Sequence, residues 1–246
     1  MNNIDERENN KPIFCIVGQT GSGKTSILKE LLNNEKLNCY SKLKNLVYST
    51  TRGIRIGEIN GVDYNFKSID EYKIDVDNNA IVEDRTYITK NNGKVHYYTT
   101  IEELTNYNQK FKGIICSASV NQAISYSKLY KNVYFIVIDS PVIERMSRII
   151  TNRLGFNSSD AEYIELCRRI CNENEEFSKV WNYLYPNNHV TIFNRNYSGD
   201  KYFKKSKPKF NKIEISAIDS FICSKILEYE NKHREKKSNI SNINHI

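Results

Sequence analysis

The sequence predicts an α/β protein of three layers around a parallel sheet. Three observations carry that prediction: short continuous apolar runs suited to fully buried strands, helical patterns lying between them, and a glycine-rich turn joining the first run to the first helix. Taken in order, residues 1–10 are polar and read as a disordered tail. Pro12-Ile-Phe-Cys-Ile-Val17 is the first buried strand. After the glycine-rich turn, Ile27, Leu28, Leu31 and Leu32 recur at helical spacing until Asn33-Asn34 ends the helix. Further strands are expected at Asn45 to Tyr48, Gly113 to Cys116, Val133 to Ile138 and Val190 to Phe193. Ser140-Pro141 supplies an N-cap residue and a first-turn proline, and Val142, Met146, Ile149 and Ile150 then mark a helix face running to about Asn152. Residues 53–100 break this rhythm with Gly57, Gly61, Asn78-Asn79 and Asn91-Asn92-Gly93, and with β-prone pieces at Val62 to Phe66 and Lys94 to Tyr98. They read as a small inserted subdomain. The Asn/Ser/Lys-rich end, residues 231–246, reads as a disordered basic tail, which leaves 11–230 as the folded unit.

The composition narrows the classes of function. With 246 residues, 39% hydrophobic and 26% charged, the chain supports its own core without disulfides or a structural metal. No apolar run approaches the ~20 residues that span a bilayer, and Met1 to Asn10 has no signal-peptide pattern, so a cytoplasmic protein without a membrane partner is expected. Six scattered cysteines show neither a C-x-x-C pair nor zinc-ligand spacing and read as reduced thiols. The net charge of +7 suits phosphorylated ligands. Much of the excess lies in Lys201 to Lys212 and Lys232 to Lys237, a loop and a terminus, and this solvated placement argues against nucleic acid. A monomer and a homodimer are both compatible with the sequence.

Gly18-Gln-Thr-Gly-Ser-Gly-Lys-Thr25 fits G-x-x-x-x-G-K-[ST] in full, after a strand and before a helix. Gly18, Gly21 and Gly23 let successive N–H groups converge on phosphate oxygens, with Gln19, Thr20 and Ser22 completing the loop, at a helix N-terminus that favours anions. Lys24 is placed to reach the β/γ-phosphates and Thr25 to meet a Mg²⁺ ion carried with ATP. A loop of this kind is shared by GTPases, nucleic-acid motors and small-molecule kinases, so the second substrate must be read elsewhere.

From Tyr48 the chain runs Y-S-T-T-R-G-I-R-I-G-E-I-N-G-V-D-Y-N-F, where Arg52 and Arg55 offer forked donors for a phosphate monoester and Tyr64 a further hydroxyl. Phosphate loop and S-T-T-R-x-x-R-x-G-E-x-x-G-x-D-Y-x-F together resemble the guanylate kinase family. The resemblance runs through most of residues 11–195 and implies a P-loop fold with a five-stranded parallel core, an NMP-binding subdomain near 43–102 and a lid near 151–170. It implies phosphoryl transfer from ATP to GMP or dGMP with Mg²⁺. By the same resemblance Ser49, Arg52, Arg55, Glu58 and Tyr64 belong to the GMP site, and Glu83 is the carboxylate that accepts from guanine N1–H and the exocyclic amine. That choice has a chemical reason, since adenine would present a lone pair at N1 to the same carboxylate. Tyr97-Tyr98-Thr99-Thr100 is similar to the family's Y-Y-G-[ST], which puts Tyr98 on the phosphate and Thr100 on the base.

Arg148, Arg153 and Arg169 correspond to lid arginines that neutralise the migrating phosphoryl group, with Arg168 one register away, and Asn194 to a residue near the adenine. Closure of lid and subdomain on the core would exclude water. The chain departs from the family at Ile54, where a proline is usual, at Tyr48, in place of a small hydroxyl residue, and at Thr99, in place of glycine. The stretch from Glu83 to Tyr98 is longer than usual. The strand-end acids are also missing, their places taken by Cys116 and Ala118, with Glu58 and, less aptly, Asp139 as acids that remain. Two readings follow: an active kinase, favoured by the intact phosphate loop, and a binding module that keeps the acceptor pocket without turnover.

Overall fold

The computed structural model describes residues 10–89, 93–105, 110–151, 159–185, 188–194 and 210–243. Five parallel strands form the central sheet: β1 (Ile13–Gly18), β2 (Leu43–Asn45), β7 (Gly113–Ser117), β8 (Val133–Asp139) and β9 (His189–Phe193), in the order β2-β7-β1-β8-β9. All five expected strands are present. The second begins and ends earlier than expected, because after Asn45 the chain leaves this sheet and crosses to another. That other sheet is mixed, in the order β4-β3-β6-β5, from β3 (Ser49–Thr50), β4 (Asn65–Phe66), β5 (Ile81–Thr89) and β6 (Gly93–Thr100). It is the insertion that the glycine- and asparagine-rich stretch announced.

Strand alternation divides the core into two layers. Ile13, Cys15 and Val17 face α4 (Val120–Leu129) and, with Ile114 and Cys116, meet Phe177 and Val180 beyond it. Phe14 and Ile16 face the other way, onto Ile27 and Leu31 of α1 (Lys24–Asn33). The remaining helices are α2 (Ile69–Asp77), α3 (Ile101–Thr105), α5 (Val142–Ile149), α6 (Asp160–Ser178), continued by a 3₁₀ turn over Lys179–Tyr183, and α7 (Lys212–Ile243). Helix α1 ends where the asparagine pair indicated. Helix α5 is preceded by Pro141 at its N-cap; Ser140 instead donates its hydroxyl to the Asn194 carbonyl at 3.0 Å.

Helix α7 corrects the expected tail. Ile218, Ile222 and Ile226 bury one stripe against the second layer, and Asp219 accepts from the Cys39 amide at 2.7 Å and the Asn38 amide at 3.1 Å. Lys112 pairs with Glu230 at 2.9 Å. With that anchor in place, the helix continues through the Asn/Ser/Lys-rich sequence beyond residue 230 to Ile243. At the other end Asn10, expected in the polar tail, is buried, and its carbonyl accepts from Asn132 Nδ2 at 2.7 Å. Residues 1–9 and the basic stretch 201–209 lie outside the described residues. Among the described residues no helix is long and apolar enough to cross a membrane.

Candidate functional site

The phosphate loop leaves β1 at the carboxyl ends of the parallel strands, where open α/β sheets place their ligands. Its glycines are required by contact as much as by torsion. Gly21 has φ 81°, and a Cβ there would lie 2.8 Å from the Arg145 carbonyl; a Cβ on Gly18 would lie 2.6 Å from the Ile138 carbonyl. Gly23 departs from the part expected of it in one respect: besides bending the loop, it is the N-cap of α1, left-handed at φ 109°. It has no side chain to cap the helix with, so no side chain at that position competes with a phosphate for the first-turn amides, as a serine or aspartate cap would.

The loop's carbonyls are turned onto the protein one by one. Lys24 Nζ donates to Gly18 O at 2.6 Å and Gln19 O at 3.1 Å, Arg145 to Thr20 O at 3.5 Å, Arg148 to Gly21 O at 2.9 Å and Asn194 Nδ2 to Ser22 O at 2.7 Å. These contacts fix the turn of the loop, the kind of backbone that makes an anion nest, with the Thr20 amide given to Glu173 and the Ser22 amide to Gln19 O. Thr25 opens to solvent in the first turn of α1, where its hydroxyl is available to a phosphate-bound cation.

Two sequence-derived roles change here. Arg148, expected on the migrating phosphoryl group, is buried, with its guanidinium spent on Gly21 O, on Ser140 Oγ at 3.0 Å and on Glu144 at 2.7 Å. Asn194, expected near adenine, is buried beneath the loop. Both support the loop from behind. Arg145, to which the sequence assigns no role, is the largest fully buried side chain among the described residues. Its only sequence signal was a place in a basic helix, and such helices usually point their charge to water. Burial lowers the pKa values of both arginines; Glu173 and Asp139 oppose this at Arg145, and Glu144 at Arg148.

The acceptor residues divide between the two faces of the mixed sheet. Strand β5 pairs antiparallel with β6 so that Glu83 lies opposite Thr99 and Arg85 opposite Tyr97. That face carries Arg52, whose Nε donates to Tyr97 Oη at 3.0 Å and whose guanidinium lies 5.3 Å from the Tyr64 ring centroid. Arg52 is also gripped by Glu58 through two bonds of 2.8 and 2.9 Å, and Glu58 accepts from the Arg55 amide at 2.8 Å. The Arg55 side chain is exposed. Hydrogen bonding from Arg52 and from the Arg55 amide holds the Glu58 carboxyl down at about 2, so Glu58 serves the arginine pair and does not take the place of a strand-end acid. Glu83 is buried; Arg85 Nε donates to its Oε1 at 3.1 Å, while Oε2 has no hydrogen-bond partner among the described residues. Burial pushes its carboxyl up, against the pull of Arg85 and the Gln122 amide.

Tyr98 and Thr100 point to the opposite face. Tyr98 is fully buried, donates to Asp75 at 2.9 Å and meets the Tyr72 ring edge-on at 5.2 Å. Thr100, with Ser49, lines a cavity of about 400 Å³ on that side. The expected alignment is thus displaced by one residue: Tyr97 and Thr99, not Tyr98 and Thr100, share the face of Arg52 and Glu83. Because side chains alternate along a strand, a slip of one residue moves every side chain to the other face. Thr99 is buried against the Tyr126 hydroxyl at 2.7 Å.

The Tyr48 hydroxyl donates to Ser117 O at 3.0 Å, and its ring packs against the core layer containing Cys116. Burial, with Cys116 and Tyr126 beside it, pushes the phenol upward, so it stays neutral. Among the described residues no group of three His, Cys, Asp or Glu side chains is disposed to hold a metal. Arg153 lies outside the described residues, and for Arg169 only its place on α6 is described.

A Walker-type loop on a five-stranded parallel sheet, with an arginine-bearing mixed sheet inserted between β2 and β7, defines the P-loop phosphotransferase class of fold. The guanylate kinase family model matches residues 9–193, and the chain belongs to that family. It is 32% identical over 146 residues to the guanylate kinase of Mesoplasma florum, a match covering 59% of this chain and 46% of that protein. With the guanylate kinase of Caldanaerobacter subterraneus it shares 28% over 174 residues, covering 70% and 77%. The crystal structure of the guanylate kinase from Anaplasma phagocytophilum superposes with a TM-score of 0.50 at 17% identity, over 90% of this chain and 87% of that one, a likeness of fold.

Proposed function

We propose that the protein transfers a phosphoryl group from ATP to GMP, with dGMP as a second acceptor, giving ADP and the nucleoside diphosphate. The observation that carries this reading is the phosphate loop with its carbonyls turned outward, in a chain whose mixed sheet sets Glu83, with a bare buried oxygen, on the face of Arg52. Lys24 swings from the Gly18 carbonyl onto the β/γ-phosphates. Arg52, Arg55, Tyr64 and Tyr97 hold the acceptor phosphate, which displaces Glu58 from part of the guanidinium fork. Glu83 Oε2 takes the guanine donors. Thr25 would be the protein ligand of a Mg²⁺ ion carried with ATP, which would neutralise phosphate charge; one protein ligand suffices because phosphate and water would supply the rest. Arg153 and Arg169 bring positive charge from the lid over 151–170 as it and the subdomain over 43–102 close.

The alternative, a binding module without turnover, draws on Cys116 and Ala118, neither of which coordinates a hard cation. Nucleoside diphosphate formation from Mg·ATP with each ribo- and deoxyribonucleoside monophosphate, beside a Lys24→Ala control, separates the two. GDP and dGDP formed by the wild type alone support the kinase. GMP binding without product from any acceptor supports the module.

A further inference from the structure

The phosphate loop is gripped by residues that no part of the proposed transfer uses. Glu173, on α6 beyond the lid residues, accepts from the Thr20 amide at 2.7 Å and from the Thr20 hydroxyl at 2.5 Å. Its neighbour Asn174 accepts from Gln19 Nε2 and from Arg145 Nη2, the latter at 3.0 Å. Arg145 in turn reaches Thr20 O and, through Nε, Ser140 O at 3.2 Å. The Glu173 charge favours the charged form of Arg145, against the lowering of its pKa by burial.

We propose that Glu173 is a positioning residue for phosphoryl transfer: with Arg145 and Asn174 it braces the outer edge of the phosphate loop and ties that edge to the helix leaving the lid. Three physical points support this. Thr20 has its N–H taken by the Glu173 carboxylate at 2.7 Å and its C=O approached by the Arg145 guanidinium at 3.5 Å, so the two peptide planes that meet at Thr20 each have a charged partner, the first through a short charge-assisted hydrogen bond. Arg145, which shares Thr20 with Glu173, places a positive charge on the same edge of the loop as that carboxylate. The contacts span 153 residues of sequence from Thr20 to Glu173, so loop shape and lid-helix position are coupled geometrically. The brace rests only on the part of the proposed function that gives the loop a nucleoside triphosphate.

The test is ATP binding, measured by calorimetry on the full chain, together with KM for ATP and for GMP. Glu173→Ala is expected to weaken ATP binding roughly tenfold, as loss of a hydrogen bond to a charged group would. KM for GMP is expected to stay unchanged. Glu173→Gln keeps the shape and one acceptor oxygen and should recover most of the affinity. Thr20→Val removes the hydroxyl contact and leaves the amide contact, so a smaller loss in the same direction is expected, and this variant disturbs folding least. Unchanged ATP affinity in Glu173→Ala, or KM values for ATP and GMP that rise together, would overturn the brace. Tighter ATP binding would also overturn it, showing that the carboxylate obstructs the loop. Failure of GMP phosphorylation in the wild type would count against the proposed function and leave the ATP-binding comparison readable.

Discussion

The two anion-binding regions are built in opposite ways. The phosphate loop is a contiguous run whose working groups are backbone amides, so its function follows from local conformation once each carbonyl has an outward partner. The acceptor face is a set of side chains on strands separated by a long hairpin, and its membership depends on pairing Glu83 with Thr99. The first kind of site survives changes in its surroundings. The second is reassigned by a one-residue change of register.

The sharpest test of this contrast is on the donor side. Lys24→Ala should lower transfer by at least ~10³-fold, the scale of removing a charge that stabilises the migrating group, while GMP affinity persists; steady-state kinetics beside GMP binding measures both. Loss of GMP binding to the same extent would mean that the two regions are not separate. On the acceptor side Glu83→Gln should act on choice more than on rate. An amide that turns a donor toward guanine leaves one of the base's own donors unmatched, so preference for GMP over AMP and IMP should fall by about tenfold or more. Selectivity unchanged among the three would remove Glu83 from the base.

Register is tested by a pair of variants that differ by one position. Tyr97→Phe removes the hydroxyl that accepts from Arg52 and should raise KM for GMP severalfold with little change in melting temperature. Tyr98→Phe removes the donor to the half-buried Asp75 of α2 and should cost about 1 kcal/mol of stability with KM unchanged. The reverse pattern would restore the alignment expected from sequence.

These comparisons show what was legible and why. All five core strands and the end of α1 were readable because buried parallel strands are continuous apolar runs and helix stops are local. Helix α7 beyond residue 230 was not: its anchoring isoleucines are one stripe four residues apart in an otherwise polar sequence, and Asp219 finds its amide partners 181 and 180 residues away. The strand–loop–helix context of the eight loop residues was readable from the motif, whereas Glu83 was named only through the family resemblance. The supporting roles of Arg145, Arg148 and Asn194 were not, since a buried arginine bonded to backbone carbonyls has the same sequence appearance as an exposed one.

The smallest expected effect concerns the Arg52–Glu58 pair, the acceptor side's own anion contact. The Glu58 carboxyl is lowered from its ordinary 4.5 to about 2, so the folded state binds this proton more weakly than the unfolded chain does. A depressed carboxyl pKa contributes stability that is fully present above the ordinary value and is lost as pH falls through the lowered one. The melting temperature of the wild type should therefore exceed that of Glu58→Gln by a constant margin above about pH 5.5 and by a shrinking one toward about pH 3. Because the pair is partly exposed, added salt should narrow the margin at neutral pH as well. A margin independent of pH would mean that Glu58 acts by shape alone, leaving Arg52 with no internal anion for the acceptor phosphate to displace.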